Sequence, residues 1–397
     1  MGIDTTSASL TRAWDGITAA DLRARGISKW ANVEPGEFGA FVAEQDFGAP
    51  PCVQEAMKNV VRRQDYGYLP LSMVNDVCHA VAGFASRRYG WDVSPTDIRV
   101  IPDVMAALEW TISHFTRPGS KILVPTPCYA PFLQVPLQQG RQVVQLPMLN
   151  VASDPRLDLE GLDRLLATDD IGLLVLCNPH NPTGHVMSEH EHEDLDRVLA
   201  RHPDVRVFSD EIHAPVTLGD ARHRPYAAHS EAAAQRTITA TSPSKCFGLP
   251  GLRAAYAILT NPDDHETWER LGDRPLRLAS TPGIYASVAA YTQADAWLDE
   301  LLSYLTQERD ELMELIASEL PGVALPRPHG TYIAFLDFVG AGLSEPPAEY
   351  LKSRSHVVLT DGATSGRGFE HWARLVWATP RPILRQMIKN MGTALRL

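Results

Sequence analysis

Three short apolar or β-branched runs mark the middle of the chain, and each ends in a cluster of turn-forming or polar residues. Ile171-Gly172-Leu173-Leu174-Val175-Leu176-Cys177 leads into Asn178-Pro179-His180-Asn181-Pro182-Thr183-Gly184. Val205-Arg206-Val207-Phe208-Ser209 leads into Asp210-Glu211-Ile212-His213. Thr237-Ile238-Thr239 feeds the turn Ser242-Pro243-Ser244, and Lys245 follows at once. Runs of this length with such endings read as buried strands. They deliver Asn181, Asp210 and Lys245 at strand C-terminal ends, which form the ligand crevice of an open α/β sheet.

The flanking pattern supplies the rest of the framework. Residues 1–27, rich in Ala and Thr, read as an arm with a short helix, and 38–47 as a short strand running into a loop. Pro50 and Pro51 start a helix over 52–63, proline being tolerated in a first turn where its missing N–H costs little. A turn over 65–70 precedes a helix to about Tyr89. From Ile98 strands and helices alternate: a strand over 98–101, a helix to Phe115, a strand over 121–124. That alternation predicts a mostly parallel sheet with helices on its faces. A long amphipathic pattern over 282–320 then carries the chain into a last region with strands over 330–337 and 373–377.

Composition narrows the class of molecule. A chain of 397 residues, 44% hydrophobic, can bury a large interior and is long enough for two domains. A net charge of −12 argues against nucleic acid and anionic membrane surfaces as partners. No apolar run is long enough to span a bilayer, and the N-terminus does not read as a signal peptide. Met1-Gly2-Ile3-Asp4-Thr5-Thr6 formally fits a myristoylation pattern, but nothing polybasic accompanies it. The five cysteines (52, 78, 128, 177, 246) are odd in number and scattered, which fits reduced thiols in a cytoplasm. Cys246, beside Lys245, has no local His or acid to activate it and reads as a packed small residue.

Lysine chemistry is the sharper signal. A lysine fixed on a tight turn can have its amine desolvated and lowered in pKa, as a Schiff-base lysine requires. His185, His190 and His192 with Glu189, Glu191 and Glu193 do not make a metal site: residues two apart on a helix do not share a face, and no H-E-x-x-H spacing occurs.

The order N-P-x-N-P-T-G, then D-E-x-H, then S-x-S-K-x-F-G-L-x-G-L-R resembles the fold-type I pyridoxal-phosphate enzymes. Adding F-V-A-E-Q-D-F-G-A-P-P and Y-G-Y near the N-terminus, the chain is similar to the cystathionine β-lyase subgroup, which includes the maltose-regulon-modulator type of C–S lyase. The resemblance runs from about Ser28 to the C-terminus. It implies an aspartate-aminotransferase-like α/β fold, with a large cofactor domain over 46–284 and a smaller α+β domain from 1–45 and 285–397. It also implies a pyridoxal 5'-phosphate cofactor, an amino-acid substrate and a homodimer.

Residue by residue, the resemblance assigns Lys245 to the Schiff base and to shuttling the α-proton. Asp210 faces the ring nitrogen, Tyr129 stacks on the ring, and Asn181 and His213 lie near the phenolic oxygen. The phosphate falls to the backbone of Asp103, Val104 and Met105, to Ser242 and Arg253, and to Tyr68 across a dimer interface. Arg374, Asn181 and Ala43 meet the substrate, with Arg374 forking onto its carboxylate.

Several positions depart from the family pattern. Glu44 and Gln45 replace the usual D-M, and Asp103 stands where glycine is usual. Arg253 matches the aminotransferase version of its motif. Arg374-Leu375-Val376 lacks an asparagine, and Thr364-Ser365-Gly366-Arg367 replaces F-G-x-x-G. With Pro215, Glu44, Gln45 and the 364–367 segment are expected to surround the substrate pocket and to mark a specialised thioether, as in natural-product or antibiotic metabolism. The first reading is therefore a C–S β-lyase on a cysteine S-conjugate or cystathionine-like amino acid. An aminotransferase, a decarboxylation-coupled oxidative deaminase and a regulatory binding protein are the alternatives.

Overall fold

The structure is a computed structural model that describes residues 7–396. The Met1–Thr6 acylation pattern lies outside the described residues. Twelve strands are described: β1 (Phe38–Gly39), β2 (Ile98–Ile101), β3 (Lys121–Thr126), β4 (Val143–Pro147), β5 (Ile171–Cys177), β6 (Arg206–Asp210), β7 (Thr237–Thr241), β8 (Ala255–Leu259), β9 (Ile333–Asp337), β10 (Val357–Val358), β11 (Thr360–Asp361) and β12 (Trp372–Val376).

Seven of them form the central sheet in the order β2-β8-β7-β6-β5-β3-β4. Every pairing is parallel except those of β8, which runs antiparallel to both β7 and β2. The wholly apolar β5 is buried along its length, as a central strand covered on both faces must be. Helices Val104–His114 and Glu189–Leu199 pack on opposite faces, against two separate apolar clusters. β4 and β8 are not expected from the sequence pattern. The first is a half-exposed edge strand, and the second (Ala255-Tyr256-Ala257-Ile258-Leu259) is rich in alanine, so neither carries a strong pattern.

The smaller domain is built on the antiparallel sheet β11-β12-β9 and on the parallel pair β1–β10. The N-terminal arm is more structured than one short helix. Helices Ser7–Asp15 and Ala19–Arg25 bury Trp14 and Leu22 in the main core, and Trp14 packs edge-on against Trp297 and Tyr304. The amphipathic stretch over 282–320 divides into helices Thr281–Gln293 and Asp295–Glu319 at Ala294. There the Ala294 N–H closes the first helix on Ala290 O, while its carbonyl starts the second by accepting from Leu298 N.

A fully buried ion pair fastens the N-terminal segment to this frame. Lys29 Nζ lies 2.8 Å from Asp46 Oδ2, and Trp30 Nε1 donates to Asp46 Oδ1 at 2.9 Å. The backbone follows: Asp46 N donates to Ala378 O, and Val376 N to Ala40 O. Residues 41–46 are thereby pinned between the C-terminal strands and the large domain. Among the described residues no helix is long and apolar enough to cross a membrane.

Candidate active site

The three central strands β5, β6 and β7 lie side by side, so Asn181, Asp210 and Lys245 emerge at one edge of the sheet. They open into a cavity of about 490 Å³. Every residue that the sequence singles out for cofactor or substrate lines it except Tyr68: Ala43, Asp103, Val104, Met105, Tyr129, Asn181, Asp210, His213, Ser242, Lys245, Arg253 and Arg374. Tyr68 is 93% exposed and lies in a separate surface groove with Tyr66 and Leu71.

Lys245 sits on the turn after β7, and its Nζ donates to Ala43 O at 2.9 Å. Burial, and after it the positive charge of Arg374, pulls its ammonium down to about 8. Asp210 ends β6 with one oxygen accepting from Ile212 N at 3.0 Å. Burial pushes its carboxyl up to about 7, against the pull of Lys245. The two groups thus approach each other in proton affinity. His213 is buried, and its Nδ1 has no partner among the described residues. Burial first, then Lys245 and Arg374, holds the imidazole well below its usual range and therefore neutral.

Arg374, on β12, also lines the cavity and donates through Nη2 to Phe41 O at 2.9 Å and through Nη1 to Asn181 Oδ1 at 3.3 Å. Among the described residues its buried Nε has no partner. Asn181 is held by the loop after β5. Gly184 turns that loop back at φ +73°, and a side chain there would strike Pro328 at 2.6 Å.

A phosphate could be held at the N-terminus of the helix Val104–His114, where first-turn N–H groups lack intrahelical partners. Asp103 caps that end and pairs with Arg253: Oδ1 accepts from Ala106 N at 2.8 Å and Oδ2 from Arg253 Nη2 at 2.7 Å. Ser242 also lines this end, its hydroxyl held on Ala254 O at 2.8 Å. Tyr129 stands half-buried at the cavity wall, edge-on to Phe132 at 5.6 Å.

These groups fit pyridoxal phosphate. There is an amine for the aldehyde, a carboxyl near neutrality for the ring nitrogen, an unpartnered imidazole and an amide for the phenolic oxygen, and a helix N-terminus with a guanidinium for the phosphate. Among the described residues no cluster of His, Cys, Asp or Glu could hold a metal ion.

The structure adds residues the sequence reading passes over. Ile212 and Ser244 line the cavity, and both lie one position from a singled-out residue, which is the only signal they carry. Tyr332 has no motif to announce it. Buried at the start of the small-domain sheet, its hydroxyl lies 3.2 Å from Ala43 O and 3.3 Å from Lys245 O and joins the two segments.

The departures expected around the substrate pocket divide. Gln45 is a local brace, accepting from Phe47 N and donating to Gly48 O. Pro215 lines a different cleft, with Arg87 and His223, because the chain after His213 turns away behind the sheet. Glu44 has a buried oxygen without a partner among the described residues and lies close enough to Lys245 to favour the lysine's charged form. The 364–367 segment packs on β3 and β4: Ser365 O accepts from Cys128 N, and Arg367 N donates to Gln145 Oε1.

Known proteins resemble this chain in sequence and fold. The chain is 36% identical to the cystathionine beta-lyase of Corynebacterium glutamicum, over 94% of this chain and 98% of that one. It is 32% identical to the cystathionine beta-lyase PatB of Bacillus subtilis, over 89% and 92%. A crystal structure from Corynebacterium diphtheriae, assigned as a PLP-dependent beta-cystathionase, superposes with a TM-score of 0.90 at 33% identity, covering 96% of this chain and 98% of that one. With residues 41–388 matching the family described as aminotransferase class I and II, the chain belongs to that family.

Proposed function

We propose that this protein is a pyridoxal-phosphate-dependent C–S β-lyase that cleaves a cysteine S-conjugate or related thioether amino acid by α,β-elimination. The carrying observation is the desolvated Lys245 amine facing the Arg374 guanidinium across one cavity. The lyase relatives at 36% and 32% identity support elimination over other outcomes.

Bound here, pyridoxal phosphate supplies an electron sink for the pair released when the substrate's Cα–H bond breaks. Lys245, Asp210, Tyr129, Asn181, His213, Ser242, Arg253 and the 103–105 backbone would hold it. Arg374 takes the substrate carboxylate in a two-pronged grip, and Asn181 Oδ1 keeps the guanidinium oriented. Lys245 Nζ accepts the α-proton, a task suited to an amine titrating near 8. The Cβ–S pair leaves with sulfur as a thiolate, and the released 2-aminoacrylate tautomerises to an imine whose C=N bond water hydrolyses to pyruvate and ammonia.

A homodimer belongs to the same reading. Tyr66, Tyr68, Leu71, Val61 and Leu278 are large apolar side chains left exposed. A second copy covering Tyr68 would bring that phenol to its partner's phosphate site. The domain limits 46–284 and 1–45 with 285–397 belong to the same reading, with Lys245 on the large domain and Arg374 on the small one. A reducing, cytoplasmic setting is supported by five free cysteines.

The test is turnover of a panel of cysteine S-conjugates by the holoenzyme with no keto acid present. Pyruvate and free thiol released in equal amounts over many turnovers are expected. A single turnover that stalls until a keto acid is added would overturn the lyase reading in favour of an aminotransferase.

A further inference from the structure

Asp210 and Glu211 are adjacent at the end of β6, and their side chains leave on opposite faces. Asp210 enters the Lys245 cavity, whereas Glu211 points behind the sheet, beside Thr239, Thr241 and Tyr291. The Glu211 carboxylate is buried, and among the described residues no lysine or arginine pairs with it. It is satisfied by three donors instead. Ser209 Oγ donates to Oε1 at 2.8 Å, Tyr226 N to Oε1 at 3.0 Å, and His223 Nε2 to Oε2 at 3.0 Å. Tyr89 closes edge-on over the His223 ring.

The backbone of Glu211 is equally committed. Its N–H donates to Ala240 O on β7, and its carbonyl accepts from Ala214 N. The turn over 210–213 thus exposes Asp210, Ile212 and His213 to the cavity while its remaining side chain is bolted from behind. A buried carboxylate saturated in this way fixes its own rotamer and the backbone that carries it.

We propose that Glu211 and His223 form a positioning pair for the cofactor reaction, locking the 210–213 turn so that Asp210 and His213 present to the ring. The pair touches neither cofactor nor substrate. The inference rests on the pyridoxal-phosphate reading above, and it extends that reading to residues outside the cavity.

The test compares cofactor affinity, kcat and KM of the wild-type holoenzyme with those of Glu211→Ala and Glu211→Gln. Removing the carboxylate strands three buried donors, so Glu211→Ala should weaken cofactor binding and lower kcat by about ten- to a hundredfold each. KM should stay within about twofold, because Arg374 and Asn181 are held by other elements. Glu211→Gln, which keeps an acceptor oxygen, should recover most of both losses. Unchanged cofactor affinity in Glu211→Ala, or a rise in KM with kcat intact, would overturn the proposal. If Glu211→Ala does not fold, His223→Leu and His223→Gln decide. Only Leu, which cannot donate, should weaken the cofactor, and equal behaviour of the two would overturn the pair. A wild-type protein that takes up no cofactor would instead remove the functional reading itself.

Discussion

Two cavities of similar size lie side by side at the C-terminal edge of the sheet. One, of about 490 Å³, holds Lys245, and the other, of about 430 Å³, lies toward the helix Glu189–Leu199. They share Phe132 and Cys177 as a common wall. The second is deeper in apolar groups (Val124, Met148, Leu159, Val175, Leu176, Met187), and its polar groups are spent on one another. His180 Nδ1 pairs with Thr183 Oγ1 at 2.8 Å. Arg156 and His185 both meet Glu191 Oε1, at 2.9 and 2.8 Å. Although burial pushes it up, Glu191 is held down to about 2 by His185 and Ser188, as a satisfied carboxylate should be. In the Lys245 cavity Asp103 and Arg253 are paired too, but polar atoms around Lys245 are left over. The imidazole of His213 and the Nε of Arg374 have no partner, and Lys245 and Asp210 are driven toward each other's proton affinity by burial. Volume does not separate the two cavities. Unspent polar capacity does, because a reactive site must keep groups free for its ligand.

Breaking the first cavity should therefore cost far more than filling the second. Lys245→Ala should abolish covalent cofactor attachment, seen as loss of its visible absorbance, and lower kcat on the order of 10³-fold. Retained full turnover would dissolve the contrast. Arg374→Ala should raise KM for amino-acid substrates by about ten- to a hundredfold, with Arg374→Lys between it and the wild type, in steady-state assays. Unaltered KM would place the carboxylate elsewhere.

The Lys245 amine sharpens the comparison through pH. Cofactor capture by the apoprotein needs the neutral amine, whose fraction falls below the folded pKa of about 8. Stopped-flow capture rates should fall about tenfold per unit from pH 8 to 6 and level off above 8. A rise of about tenfold per unit that continues above pH 8 without levelling would mean the amine is not desolvated. The smallest effect is reserved for the second cavity: Leu159→Phe, which narrows it, should leave kcat and KM within about twofold and act on melting temperature alone. A large kinetic effect would make that cavity part of the working site.

The chain order of motifs made much of the site legible. The three strand–turn units carrying Asn181, Asp210 and Lys245 are local patterns, and their convergence follows from strand ends in a parallel sheet. The helix starting at Pro51 and the helix ending at Tyr89 were readable from proline placement and turn chemistry. What escaped had no local mark. β8 runs against its neighbours and is rich in small residues, so neither its presence nor its direction could be read from periodicity. Lys29 and Asp46 are common surface residue types that turn out to be a buried pair. Tyr332, Glu211 and His223 act through partners distant in sequence. Pro215 counts among the departures expected at the pocket, yet the chain after His213 passes behind the sheet.

By itself, then, the sequence determined the strand–turn units, the residues at their tips and the family they resemble, because these depend on backbone preferences over a few neighbouring positions. Tertiary structure alone decided which polar groups would be satisfied and which left free. Asp103 became a cap tied to Arg253, Glu191 became saturated, and His213 and Arg374 kept unspent atoms. The physical reason is that desolvation and hydrogen-bond saturation are set by everything packed around a group, and the chain brings those neighbours together only once it has folded.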